Sequence, residues 1–262
     1  MNTLTIVVIV LFLIFMVLGC KRGLFRSVFK ILLTGLSFIL AYFCAPMVST
    51  FLINSTMIDD YINTRISAFI EDKIEEKATE QVKEKLGYED SEAVKQIVDT
   101  IMSNELTRNE QVELIYDMQL PDFLTNALME NNNEGFKNSL GVTAFFEYIS
   151  SYITYMIMNA MSFVIISFVL WIISNLLFLA IAFVVSLPIV SSINRVGGLI
   201  FGAGEALLIV WIAFICITIF SHTEIGAELY SQIVESPILS FIYEHNIFMS
   251  IVTEISTNIK IR

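Results

Sequence analysis

An ionisable side chain set deep in an apolar stretch is where chemistry is sought first, and this chain offers Glu205, flanked by Gly204 and Ala206. A carboxylate at membrane depth is costly and normally faces protein or a water-filled path. Two uses are open to it: a structural ion pair with Arg195 or Arg22, or a station on an ion or solute path. Beside it, Gly198, Gly202 and Ala206 are spaced by four, so they align on one helix face and let another backbone come close. Gly19 and Gly23 repeat that spacing near the start of the chain. The same pattern serves packing inside one chain or self-association. Asn54, Asn159, Ser174 and Asn175 are read as interhelical hydrogen-bonding residues.

Other chemistry is poorly provided for. Cys20, Cys44 and Cys216 all lie in or beside apolar runs, and His222 and His245 are too far apart for zinc-ligand spacing. Neither a metal nor a cofactor is expected. Gly-x-Ser-x-Gly, His-Glu-x-x-His and a phosphate-binding loop are all absent from the sequence. A serine or threonine without a base is not a nucleophile, so the expectation is a protein that is not an enzyme.

These residues must be positioned by helices in lipid. Of 262 residues, 56% are hydrophobic and 16% charged, and the mean hydropathy is +0.73. Soluble domains carry about 25% charged residues. No Asp, Glu, Lys or Arg occurs over 1–20, 31–58 or 148–194, and a spanning helix needs only about 20 apolar residues. The pattern predicts an all-α polytopic membrane protein with four spans and the lipid bilayer as its first partner. Span one covers about 4–18 and span two about 31–53. The basic loop between them, Cys20 to Lys30, contains Lys21, Arg22, Arg26 and Lys30. Such loops stay on the cytoplasmic side, which puts both termini outside for four spans.

The formal charge of −11 is local: residues 59–147 hold 8 basic and 20 acidic residues. So little basic surface gives nucleic acid no footing. This segment reads as an extracytoplasmic helical insert, 59–147, between a transmembrane hairpin at 1–58 and another at 148–220. Ile58, Ile62, Ile66, Phe69, Ile70 and Ile74 form an apolar stripe. Asp90 or Ser91 caps a second helix, Thr107 and Glu110 have capping-box spacing for a third, and Pro121 opens a fourth that closes in a loop over 131–135. The stripes are expected to pack on one another.

The third apolar run is too long for one simple crossing. One long tilted span, entering past an aromatic belt of Tyr148, Tyr152 and Tyr155 and ending near Pro188, is preferred over two spans. Two spans would leave a tail with 2 basic and 5 acidic residues inside. After a loop over 191–195, span four covers about 199–220. The tail, 221–262, carries Ile238, Phe241, Ile242, His245, Phe248, Val252, Ile255 and Ile259 at helical spacing and reads as an amphipathic interfacial helix. His245 on that stripe is a packed or interfacial side chain rather than a pH sensor.

The string Lys21, Arg22, Gly23, Leu24, Phe25, Arg26 resembles the Arg-Gly-hydrophobic-x-Arg element of the colicin V production protein family. The string from Asn194, Arg195, Val196, Gly197 and Gly198 through Phe201, Gly202, Ala203, Gly204, Glu205, Ala206 and Leu207 is similar to that family's second signature, an Arg before a Gly-rich start to the last span. The resemblance covers about 1–55 and 150–220; the acidic insert and the tail are not needed for it. Members often have an acid where Thr5 stands, a Glu where Ser27 stands, and Arg-Gly where Glu205 and Ala206 stand. The resemblance implies an integral inner-membrane protein tied to toxin production or export and to envelope upkeep, without an established catalytic or transport activity. Its expected partners are other membrane proteins or further copies of itself.

Overall fold

The computed structural model describes residues 2–55, 57–86, 90–102, 106–118, 120–184 and 192–257. Every regular element among them is helical: α1 (Thr3–Arg22), α2 (Leu24–Ser55), α3 (Ile58–Leu86), α4 (Ser91–Met102), α5 (Arg108–Asp117), α6 (Asp122–Asn131), α7 (Glu134–Leu140), α8 (Phe145–Val184), α9 (Ser192–Ile219), α10 (Glu224–Glu235), α11 (Pro237–Glu244) and α12 (Ile247–Thr257). Four of them, α1, α2, α8 and α9, are long and apolar enough to cross a bilayer. The chain forms two compact units, one of Met1–Thr50 with Asn159–Val252 and one of Phe51–Met158 with Thr253–Arg262.

In the first unit the expected basic loop over 20–30 does not exist as a loop. Helix α1 runs on to Arg22 and α2 begins at Leu24, with Gly23 alone between them. The break is a single residue because Gly23 has φ 81°, a region that side chains with a Cβ avoid. Its N–H still bonds the Gly19 carbonyl at 2.9 Å, which closes the last turn of α1. The loop expected over 191–195 is likewise helical from Ser192. Ser191 and Pro188 lie outside the described residues. As far as Val184 the long apolar run is one unbroken helix, α8, of 40 residues, which agrees with the preferred single span over that stretch.

The tail is helical and amphipathic, but it is divided into three short helices. Thr223 caps α10 and Ser236 caps α11, each hydroxyl accepting a backbone N–H. Helix α10 seals the start of α1: Gln232 accepts the Leu4 N–H through Oε1 at 2.9 Å, and its carbonyl accepts the Asn2 side chain at 2.5 Å. The hydroxyls of Thr5 and Ser236 meet at 2.9 Å. The Leu4 N–H is one of the backbone donors that a helix start otherwise leaves unsatisfied. The α11–α12 turn then packs into the bundle. Asn246, 3% exposed, donates to the Trp211 carbonyl at 2.9 Å, and the Trp211 indole N–H donates to the Ile242 carbonyl at 3.0 Å. Phe248 meets Phe38, Phe163 and Trp211. Trp211 stands eight residues before the end of α9, about 12 Å along the helix. The turn therefore lies at span depth, where irregular backbone is tolerated only when buried in protein. His245 is exposed against Phe241, and Ile259 lies outside the described residues.

In the second unit the stripe on α3 is buried at Ile66, Ile70 and Ile74 and continues through Ala78 and Val82. Ile58 is exposed instead. Ala78 and Val82 pack with Val94, Ile97 and Val98 of α4, so these two stripes do cover each other. Asp90 caps α4, with Oδ1 accepting the Glu92 N–H at 3.0 Å. The Glu110 carboxylate accepts both the N–H and the hydroxyl of Thr107 at 2.7 Å, which holds its pKa below the ordinary value. The stretch 131–135 is not a simple loop: Asn133 accepts the Phe136 N–H and starts α7. Tyr148 and Tyr152 are not an aromatic belt. Both are fully buried, with the Tyr148 hydroxyl donating to the Leu128 carbonyl at 2.7 Å and the Tyr152 hydroxyl accepting from Asn131 at 3.2 Å. Partners for the phenol oxygens make that burial possible.

Replacing Asn246 by Ala removes the α12 cap and the bond to Trp211 together. A loss of about 1–3 kcal/mol follows, read as an earlier thermal transition of the detergent-solubilised protein. The tail also becomes open to added protease, and equal protease resistance in both forms would mean that Asn246 does not anchor it.

Candidate functional site

The site is built where α1 ends and α2 and α9 begin. Helices α1 and α9 are in extensive contact, because their meeting faces lack side chains. A Cβ on Gly19 would strike the backbone of Gly198 and Gly202; one on Gly198 would strike that of Gly19 and Gly23; one on Gly202 would strike that of Phe15. The order of these contacts shows the two helices antiparallel. Ala206 is fully buried next in the row. Helix α2 runs beside α9 in the same direction, with Leu24 against Gly197 and Ile31 against Gly204.

Between these three helices lies Glu205, its side chain 3% exposed. Arg22 places Nη1 2.8 Å from Oε2, and Lys30 places Nζ 2.9 Å from Oε1. The Arg22 contact is a hydrogen bond, whereas the Lys30 contact is off the hydrogen-bonding direction and acts through charge. Lys30 also lies over the Phe178 ring at 5.6 Å. With its side chain 9% exposed, the lysine depends on Glu205 as counter-ion, since an unpaired charge at that burial is very costly. Asn194 completes the corner: its Oδ1 accepts the Leu24 N–H at 2.7 Å, so the first turn of α9 caps the start of α2. Ser27, directly after the basic motif, bonds the Gly19 carbonyl through its hydroxyl at 3.2 Å.

The two strings quoted from the sequence thus meet in one place. Gly19, Arg22 and Gly23 come together with Gly198, Gly202, Glu205 and Ala206. Arg195 is not brought to the carboxylate; it is exposed on the first turn of α9. Arg26 is half-buried on the first turn of α2. Sequence reasoning missed Lys30 as a partner, although its place one turn beyond Arg26 put it on the same helix face. It also gave Asn194 no role and overlooked Asn246 and Trp211, for which composition held no signal. With a cation at each carboxylate oxygen, the arrangement stores no free base or open ligand position. Among the described residues no cluster of His, Cys, Asp and Glu could hold a metal ion.

Residues 139–246 match the family model described as colicin V production protein. The match takes in α8, α9 and the tail as far as Asn246, so the tail, which the resemblance did not require, falls inside it. The Lys21–Arg26 string falls outside. No curated protein and no solved structure matches the chain. With four helices long and apolar enough to cross a bilayer and this match, the chain is an integral membrane protein.

Glu205→Gln leaves Lys30 and Arg22 without a counter-ion and lowers stability by about 3–5 kcal/mol; Arg195→Ala changes it little. Gly198→Ala forces α1 and α9 apart at about 1–3 kcal/mol. Thermal unfolding of the three purified variants ranks them, and an unshifted Glu205→Gln transition would remove the buried pair from the account.

Proposed function

We propose that the chain is a non-enzymatic protein of the bacterial cytoplasmic membrane that assists colicin V production or export, and envelope upkeep with it, by contacting other membrane proteins. The observation that carries this reading is the family match over residues 139–246, which supports a role in colicin V production. The pairing of Glu205 with Arg22 and Lys30 supports a structural rather than a catalytic carboxylate. The same pairing speaks against an ion path through Glu205, because both of its oxygens already face cations. The strongly acidic segment 59–147 is the contact surface in this reading.

Lys21 and Arg22 at the end of α1, with Arg26 and Lys30 on the first turns of α2, support a cytoplasmic position for that end of the helices, where anionic lipid favours cations. The beginning of α1 and the tail helix α10, joined through Gln232 and Ser236, then belong to the outer side.

Two measurements test the proposal. Deleting residues 59–141 is expected to leave membrane insertion intact while abolishing support of toxin secretion in a colicin V-producing host that lacks its own family member; unchanged secretion would refute the contact-surface role. On a cysteine-free background, Ser91→Cys should react with an impermeant maleimide in intact cells and Lys21→Cys only after permeabilisation. The reverse pattern would invert the topology.

A further inference from the structure

The corner of the first unit that holds Glu205 carries more positive than negative charge. Residues 1–58 and 148–223 contain five Lys and Arg side chains, Lys21, Arg22, Arg26, Lys30 and Arg195, against the single carboxylate of Glu205. All five stand on the last turn of α1, the first two turns of α2 or the first turn of α9. The acids of α10 belong to the other end of α1, where Gln232 bonds the Leu4 N–H. Inside the corner one negative charge serves two cations, since Glu205 faces both Arg22 and Lys30, and a buried excess of charge is costly. Arg22 spends Nη1 on Glu205 and makes no other hydrogen bond among the described residues. Its side chain is 21% exposed, so most of its five N–H donors are free for a further acceptor. Lys21 precedes it, and Arg195 follows Asn194, whose side chain lies against Gly23; both cations are exposed.

The chemistry of the corner selects its ligand. Guanidinium groups favour an anion with several acceptor oxygens, phosphate above all, which they grip in forked hydrogen bonds. Helices α2 and α9 run in the same direction and both begin here, so the positive ends of two helix dipoles add to the cations. Hydrocarbon lies next to this charge. Phe25 and Phe29 flank Arg26 on α2, Val196 and Ile200 follow Arg195 on α9, and all four are exposed. The corner also stands where the apolar stretches of α1 and α2 give out, which is the depth of the lipid headgroups. A soluble phosphate compound would leave the apolar side chains unused, whereas a phospholipid uses both surfaces at once. We propose that this corner binds one anionic phospholipid, its phosphate accepting from Arg22, Lys21 and Arg195 and its acyl chains lying along the exposed apolar side chains of α2 and α9. The phosphate then supplies the second negative charge for the group of Arg22, Lys30 and Glu205. This assignment goes beyond the proposed role in toxin production and does not depend on it.

The test is native mass spectrometry of the full chain released from detergent micelles, titrated with phosphatidylglycerol or with phosphatidylcholine of the same acyl chains. One phosphatidylglycerol is expected to bind saturably, and more tightly than phosphatidylcholine by about tenfold. The double variant Lys21→Gln, Arg195→Gln changes two exposed side chains and is expected to keep its helicity and its lipid-free thermal transition. Its affinity for phosphatidylglycerol should fall by about tenfold, since each cation near an anionic lipid contributes. Lys73→Gln with Lys95→Gln removes the same charge from the second unit and should leave that affinity unchanged. In a third arm inorganic phosphate is added to the loaded protein, and the lipid adduct should persist. Equal binding of the two lipids, or full affinity in the Lys21 and Arg195 variant, overturns the proposal. An equal loss in the Lys73 and Lys95 variant would show attraction by net charge without a site and overturns it as well. Displacement of the lipid by inorganic phosphate at matching concentration would assign the corner to free phosphate and overturn the lipid.

Discussion

Between α1 and α9 there is no room for a side chain, and that fact orders the first unit. In lipid, apolar side chains gain nothing by leaving hydrocarbon for protein, so helices associate through close backbone approach and polar contacts. Gly19, Gly198 and Gly202 supply the approach. Because α9 then lies flush on α1, Asn194 reaches the start of α2 and Arg22 reaches Glu205. A longer residue at any of the three glycines would move the carboxylate away from its cations.

The Glu205 pair is thus a consequence of the packing as much as a cause. A buried ion pair contributes little net stability compared with apolar residues of similar volume, but breaking it is severe. Its effect is to fix register: Lys30 on α2 and Arg22 on α1 meet one carboxylate only when the three helices are aligned as they are. Where Glu205 and Ala206 depart from the pattern of the family that the chain resembles, they come with a counter-ion arrangement of their own. The tail adds a second constraint at the other end of α1, where Gln232 and Ser236 occupy its first turn.

Much of this was legible in the residues. Three charge-free runs and a fourth apolar run broken only by Glu205 told of four apolar helices, the four-residue spacing of small residues marked the packing faces, and Arg22 was one of the two partners named for Glu205. Capping signals at Asp90 and at Thr107 with Glu110 worked because they are local, complete within four residues. The failures were equally physical. The basic segment was read as a loop because charge was taken to end a helix, whereas one glycine with positive φ turns the chain without a loop. Tyr148 and Tyr152 read as part of an interfacial aromatic belt because their burial depends on acceptors and donors some twenty residues earlier in the chain, Leu128 and Asn131.

What the sequence alone determined was the solvent of each segment: apolar runs of that length without charge can only be helices in lipid, since every backbone group must be satisfied within the segment. It also determined which faces could touch, because helical spacing is a property of the chain itself. Only the tertiary structure decided which partner each face chose, that Lys30 rather than Arg195 joins Arg22 at Glu205, and that the Asn246 turn sits at the depth of Trp211. Tertiary pairings in this chain join residues up to 231 positions apart, and no local rule carries information over that distance.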